Sequence, residues 1–241
     1  MQDNPDFTAE ELTGRSCGHL RELGHSGGRL HREAVTPYLA LRAAAAADGI
    51  DLVAFSGFRD FDRQLAIWNG KFRGERPLLG RAGEPVDALT LSPADRVAAI
   101  LWWSALPGAS RHHWGSDFDV MDAAAVAPDY RLQVVTAEYA PGGPFARLTA
   151  WLDVHMHAYG FYRPYCSDRG GVRPEPWHLS YAPVAERALR GLTTARLRAV
   201  IEAADIDGKP EILGSLERVH ATYVANVDAA PQAALAAPRL A

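Results

Sequence analysis

The chain has 241 residues, with 25 Lys+Arg against 29 Asp+Glu for a net charge of −4, and 48% of its residues are hydrophobic. That composition excludes an intrinsically disordered chain, and its mild acidity offers no broad basic surface for nucleic acid. A chain of this length can bury a sizeable core without staples, so any metal site in it is expected to serve chemistry rather than folding.

No apolar stretch reaches the roughly 18 residues of a bilayer span, so no transmembrane segment is expected. The opening Met1-Gln2-Asp3-Asn4-Pro5-Asp6 is polar and acidic where a signal peptide would be basic and then apolar. On that reading a cytoplasmic location stays open. The two cysteines, Cys17 and Cys166, are expected to be unpaired and buried.

In chain order, residues 1–33 are polar and Gly-rich and read as an irregular arm. Strong helix formers over 34–47 predict a helix closed by Asp48-Gly49, with Pro37 in its first turn, where a missing N–H costs little. Residues 51–56 predict a strand ending at Gly57, and a helix follows from Asp60 to about Asn69, stopped by Gly70. Residues 70–91 are rich in Gly, Pro and Arg and read as a long surface loop. Ser92-Pro93-Ala94-Asp95 is a helix start, with Ser as N-cap, Pro at the first helical position and an acid in the first turn. A strand over 116–121, an irregular excursion over 123–142 and a helix over 145–159 come next. Strands over 161–165 and 177–181 precede helices at 184–190, 194–204 and 210–225. The Ala/Pro-rich end, 227–241, lacks an amphipathic period and is expected to be disordered. The domain reading is therefore an arm (1–33), a central domain (34–183), a helical extension (184–226) and a tail (227–241). Short strands without a regular βαβ rhythm predict an α+β fold: a small, mostly antiparallel sheet flanked by helices, with extra helices at the C-terminal end.

Two of the segments carrying the nine histidines stand out. In Ser110-Arg111-His112-His113-Trp114-Gly115-Ser116-Asp117-Phe118-Asp119 an imidazole precedes a carboxylate by seven residues, with a glycine between. On the strand, Asp117, Asp119 and Met121 share one face, and Phe118 and Val120 the other. An inward carboxylate there is costly to bury without a counter-charge or a metal. The bland alternative is a polar turn followed by an exposed strand face. In Glu175-Pro176-Trp177-His178 a carboxylate lies three residues before an imidazole. Together these segments hold two imidazoles, one carboxylate ligand and one spare carboxylate. Catalytic zinc takes three such protein ligands and leaves the fourth position to a water whose pKa falls to about 7, and a nearby Glu is the usual proton shuttle. A third segment, Ser56-Gly57-Phe58-Arg59-Asp60-Phe61-Asp62-Arg63-Gln64, puts Arg59 between a strand and a helix, where its planar fork suits a carboxylate or pairs with Asp60 or Asp62.

In this order the three segments resemble the VanY-like zinc D-alanyl-D-alanine carboxypeptidases, of the superfamily that includes lysostaphin-type and hedgehog proteins. The S-x-H-x-x-G-x-A-x-D motif reads Ser110-x-His112-x-x-Gly115-x-Asp117-x-Asp119, E-x-x-H reads Glu175-Pro176-Trp177-His178, and S-G-[FY]-R reads Ser56-Gly57-Phe58-Arg59. The resemblance covers roughly residues 50–182. It implies one Zn2+ per chain, held on the sheet by His112, Asp119 and His178, with Glu175 as general base and acid. It implies that Arg59 polarises the carbonyl or pairs with a carboxylate, and that Ser110 and Gln64 hydrogen-bond the peptide. The implied substrate is a peptidoglycan stem peptide that loses a C-terminal D-amino acid, in the periplasm or cell envelope. A cross-link endopeptidase and a non-catalytic zinc-stabilised wall-binding module are the alternatives. The motif frame selects His112 over His113. One departure stands out: the small residue of the motif is Asp117 here. This extra carboxylate either adds negative charge to the site or turns away to a basic neighbour.

Overall fold

The computed structural model of the chain describes residues 7–24 and 28–237. Its centre is a four-stranded, wholly antiparallel sheet, built into an α+β fold as the strand and helix spacing predicts.

The chain enters through a short helix, α1 (Ala9–Leu12), and a hairpin of β1 (Leu20–Glu22) and β2 (Arg29–His31). The described part of the expected irregular arm is thus ordered. Phe7, Leu12 and Leu30 are buried in the main core, and Gly24 and Gly28 lie between the two hairpin strands, both at positive φ. Helix α2 (Arg32–Ala47) starts two residues earlier than predicted because the His31 ring caps it, accepting the Glu33 N–H at Nδ1 (3.2 Å). Pro37 therefore falls in the second turn, on a buried face.

Strand β3 (Leu52–Ser56) leads into α3 (Phe61–Phe72), which Asp60 caps by accepting the Arg63 N–H at 2.7 Å. Gly70 does not end this helix. A Cβ there would meet the Arg76 side chain at 3.0 Å, so the glycine serves close packing. The expected loop over 70–91 holds a small hairpin, β4 (Leu78–Leu79) with β5 (Pro85–Val86), whose two-residue strands are too short to show alternation. Helix α4 (Pro93–Leu101) begins as the Ser-Pro signal predicts.

Strand β6 (Asp117–Asp122) is one of the two inner strands of the sheet. The excursion after it contains a short helix, α5 (Thr136–Tyr139), anchored by the Tyr139 hydroxyl donating to the Val120 carbonyl at 2.7 Å. Helix α6 (Ala146–His155) tightens into a 3-10 turn over Met156–Tyr159 and ends at Gly160. Then come β7 (Phe161–Tyr162) and β8 (His178–Tyr181). The sheet order is β3-β6-β8-β7. Helices α7 (Ala182–Gly191), α8 (Thr194–Ala203), α9 (Lys209–Gly214) and α10 (Leu216–Val219) follow, with a π turn over His220–Val224. The described part of the expected disordered tail carries α11 (Gln232–Leu235), whose Ala234 is buried beside Tyr162 and Ala182. A small apolar contact rather than an amphipathic stripe holds it, so no period betrays it. Both cysteines are unpaired but exposed, not buried.

The register decides which side chains meet. Ser56 pairs with Asp119 and Asp119 with His178, so one cross-strand row holds all three. The next row on that face holds Asp117, Ser180 and Tyr162. The opposite face carries Phe118, in edge contact with Tyr38 of α2 at 5.2 Å and with Phe161 at 5.3 Å. One face of the sheet thus packs the core and the other presents polar groups.

Gly115 brings the metal-motif loop onto this frame. It has φ 68°, and an added Cβ would lie 2.4 Å from Leu20 Cδ2 and 2.7 Å from the His31 backbone nitrogen. The Gly115→Ala substitution should therefore cost about 2 kcal/mol or more, from strain and collision together. Equilibrium denaturation checks this; an unchanged midpoint would mean the β1–β2 hairpin is free to move away.

Candidate metal centre

The row Ser56–Asp119–His178 brings Asp119 against His178, and the loop before Gly115 swings His112 in from the side. His178 Nδ1 lies 3.3 Å from Asp119 Oδ1, and His112 Nε2 lies 3.6 Å from Asp119 Oδ2. The ligand atoms of His112, Asp119 and His178 all lie within 4.8 Å of one another, and all three residues are buried. Each ring is fixed from behind. His112 Nδ1 faces the Gly57 carbonyl at 2.9 Å, which makes it the N–H and leaves Nε2 as the free donor atom. His178 Nε2 faces Asp117 Oδ1 at 3.0 Å, which turns Nδ1 toward Asp119. Asp119 Oδ1 is buried without a hydrogen-bond partner among the described residues. A buried carboxylate between two imidazole nitrogens, with one oxygen lacking a hydrogen bond, fits a site of three N/O protein ligands for a zinc-like cation.

The fourth motif residue, Glu175, approaches from the turn before β8. Its Oε2 lies 3.3 Å from His178 Nδ1. Burial, against the pull of His178, raises its pKa above the ordinary carboxylate value. His113 points away from the centre, as the motif frame requires. Its Nδ1–H donates to the Arg59 carbonyl (2.6 Å) and its Nε2 accepts the Gly108 N–H (3.1 Å). Burial pushes its pKa down to about 4. It is a neutral strut that holds the backbone of Arg59, a role the sequence does not signal.

These groups line a cleft of about 320 Å³ that also receives Arg59, Lys71, Ser110, Val134 and Tyr165. The Arg59 guanidinium donates to Gln64 Oε1 at 2.9 Å and to Ser56 Oγ at 3.3 Å. Gln64, expected to touch a peptide, has another task. It is buried, it accepts from Arg59, and its amide donates to the Ala105 carbonyl at 2.7 Å, so it holds the arginine in place. Lys71 is a residue the sequence reading missed. It follows Gln64 by seven residues on α3, two turns along the same face. Among the described residues its ammonium has neither an ion pair nor a hydrogen bond. Burial and the nearby Arg76 and Arg59 lower its pKa.

Val134 walls the cleft from the far side with φ 56°, strained for a β-branched residue. Glu138 holds the turn by accepting the N–H groups of Gln133 (3.0 Å) and Val135 (3.1 Å). Neither His155 nor His157 joins the metal cluster, and the His155 ring stacks on Trp151 instead.

Residues 27–184 match the VanY family, described as D-alanyl-D-alanine carboxypeptidase. The chain belongs to this family. An uncharacterised protein of Haemophilus influenzae is 45% identical over 103 residues, which cover 42% of this chain and 70% of that one. A D-alanyl-D-alanine carboxypeptidase of Enterococcus faecalis is 29% identical over 154 residues, covering 62% of this chain and 47% of the relative. The chain thus spans about half the length of that named relative. Among solved structures, VanYB in complex with D-alanine-D-alanine has the same fold, with a TM-score of 0.51 and 22% identity, covering 79% of this chain and 92% of that one. Among the described residues, no helix is long and apolar enough to cross a membrane.

The charges predict how metal binding depends on pH. Burial opposes a charge on His178, but the Asp117, Asp119 and Glu175 carboxylates that face the ring outweigh it and hold the imidazole pKa well above its ordinary value. Its contribution to the stability of the metal-free protein is present below the unfolded pKa of about 6.5 and is lost as pH rises through the raised value. For Asp119 the pull of His112 and His178 outweighs burial and lowers the pKa. That contribution is present above about 3.9 and lost as pH falls through the lowered value. The metal-free protein should therefore lose stability on going from neutral to alkaline pH. A metal must displace the His178 proton, so its affinity should rise with pH, with about one proton released per ion near pH 6. Calorimetry in buffers of different ionisation enthalpy measures that release; none at all would show that His178 is already neutral.

Proposed function

We propose that this protein is a zinc-dependent peptidase that removes a C-terminal D-amino acid from peptidoglycan stem peptides in the cell envelope. The observation that carries this reading is the buried Asp119 carboxylate set between His112 and His178, one of its oxygens without a hydrogen bond, with the Glu175 carboxylate beside them. The family match over residues 27–184 supports the choice of reaction.

In this reading His112 offers Nε2, His178 offers Nδ1 and Asp119 one carboxylate oxygen to the ion. A zinc ion held there supplies a Lewis acid for the scissile carbonyl and acidifies water. Glu175 takes the proton from the attacking water and returns it to the leaving amine. Its raised pKa suits both halves of that exchange. Arg59, braced by Gln64 and Ser56, donates to the carbonyl oxygen as negative charge develops there. Ser110 lines the cleft as a further donor to the peptide.

The terminal carboxylate goes to Lys71. Arg59 is committed beside Asp119 and Glu175, whereas the buried Lys71 ammonium has no hydrogen bond or ion pair among the described residues and feels Arg76 and Arg59 as well as Glu175. A substrate carboxylate would give this buried cation the direct partner it lacks. Lys71 lines the same cleft as Arg59 and Glu175 and feels the charges of both.

Two experiments test this reading. Glu175→Gln should keep the fold and the metal and lose about 10²- to 10⁴-fold in kcat, since an amide cannot take the proton; near-wild-type turnover would remove Glu175 from the mechanism. Lys71→Met should lower kcat/KM on peptides with a free C-terminal acid by about tenfold or more, while leaving the slow cleavage of C-terminally amidated peptides unchanged. Wild-type cleavage of amidated or internally extended peptides at the same rate as free acids would instead indicate an endopeptidase. Stoichiometric zinc with no hydrolysis of any stem peptide would indicate a wall-binding module.

A further inference from the structure

Asp117 stands where the motif to which this chain is similar has a small residue, and it is a fully engaged carboxylate, with three hydrogen bonds. It is fully buried on the inner strand β6, one row from the metal cluster and on the same face as Asp119. Its Oδ1 accepts from Arg111 Nε at 2.7 Å and from His178 Nε2 at 3.0 Å, and its Oδ2 accepts from the Ser116 hydroxyl. Arg111 is itself buried. It reaches along the second cross-strand row to Ser180 Oγ at 2.7 Å and the Tyr162 hydroxyl at 3.2 Å. So Asp117 does both of the things its position allows: it faces a metal ligand, and it pairs with a basic neighbour.

A buried carboxylate serving only as the partner of Arg111 has no reason to place the same oxygen on a metal-ligand ring. A carboxylate serving only the ring would leave a net negative charge behind the cation site. The observed three-member chain, Arg111–Asp117–His178, avoids both. The guanidinium neutralises the carboxylate, which then accepts the imidazole N–H. Accepting at Nε2 fixes one tautomer of His178 and one ring orientation, with Nδ1 turned to Asp119 and Glu175. Three strands contribute, with Asp117 on β6, His178 and Ser180 on β8 and Tyr162 on β7, so the device is part of the sheet itself.

We infer that Asp117 is a positioning residue for the metal centre, aiming His178 Nδ1 through its Nε2–H, and that Arg111 is the counter-ion that makes this buried carboxylate tolerable. The inference rests on the metal-site reading above. It assigns the two residues to metal affinity rather than to contact with substrate.

The test uses wild type, Asp117→Asn, and the double variant Arg111→Met with Asp117→Ala. The single variant strands a buried guanidinium and can lose the fold on that account alone. The double variant removes both charges together, and exchanges of this kind are often neutral or stabilising. Zinc affinity is read by competition with a chromophoric chelator, the unfolding midpoint of each metal-free protein in parallel, and the His178 tautomer from imidazole 15N spectra. The double variant should keep its metal-free midpoint, bind zinc about 10- to 100-fold more weakly, and lose the single Nε2–H tautomer that the metal-free wild-type ring shows at alkaline pH, where it is neutral. Wild-type zinc affinity in the double variant would reduce the pair to a structural ion pair and overturn the inference, as would a double variant that does not fold. If wild type itself binds no zinc, the metal reading falls and the inference with it, an outcome told apart from the others by the wild-type titration alone.

Discussion

The structure is organised around the cost of taking the Asp119 carboxylate out of water. An unpaired ion in a protein interior costs several kcal/mol, and this one lies on an inner strand of the sheet with an oxygen that no hydrogen bond satisfies. Its surroundings offset that cost. One neighbouring strand supplies His178, the other supplies Ser56 and leads to Arg59, and the Gly115 loop supplies His112. Antiparallel pairing on both sides makes the arrangement strict, because a slip of one residue would send Asp119 into the aromatic core and Phe118 into the cleft. The packing of Phe118 against Tyr38 and Phe161 therefore protects the polar row as much as it fills the core.

The elements that touch one another through sequence-adjacent contacts were legible before any coordinates. The Ser-Pro start of α4, the Asp60 cap, the strands around the metal motif and the helices after β8 all follow from local chemistry. So did the meeting of His112, Asp119 and His178 on the sheet, because a motif frame ties each to a turn or strand. What was not legible depends on pairings across long separations. Nothing local distinguishes His113 as a strut for Arg59, since its partners, Gly108 and the Arg59 carbonyl, are recruited by the fold. Gln64 was placed near the peptide by the family resemblance, and only the Ala105 carbonyl reveals that its amide is already spent. The seven-residue step from Gln64 to Lys71 was a usable signal for a second cation in the cleft. The β1–β2 hairpin and α11 were hidden because very short elements held by a few apolar contacts leave no period.

The helices beyond the sheet brace the cleft from outside. Trp68 and Asn69 on α3 donate to the carbonyls of Asp207 and Asp205, in the link between α8 and α9. This fixes the helix whose inner face presents Gln64 and Lys71. On the other wall, Asp228 accepts the N–H groups of Cys166 and Ser167, at 2.8 and 2.9 Å, and pins the start of the segment that carries Glu175. Residues outside the recognisable motifs thus set the spacing between the two sides of the site.

Val134 shows what that precision entails. A β-branched residue at φ 56° carries backbone strain of order 1–3 kcal/mol, and Glu138 holds the turn that imposes it. Glycine at this position would release the strain and strip the cleft of a wall. Selection for thermal robustness alone would therefore drift toward a wider, less discriminating cleft. At this turn the sequence is a compromise, with stability given up so that the pocket keeps its shape.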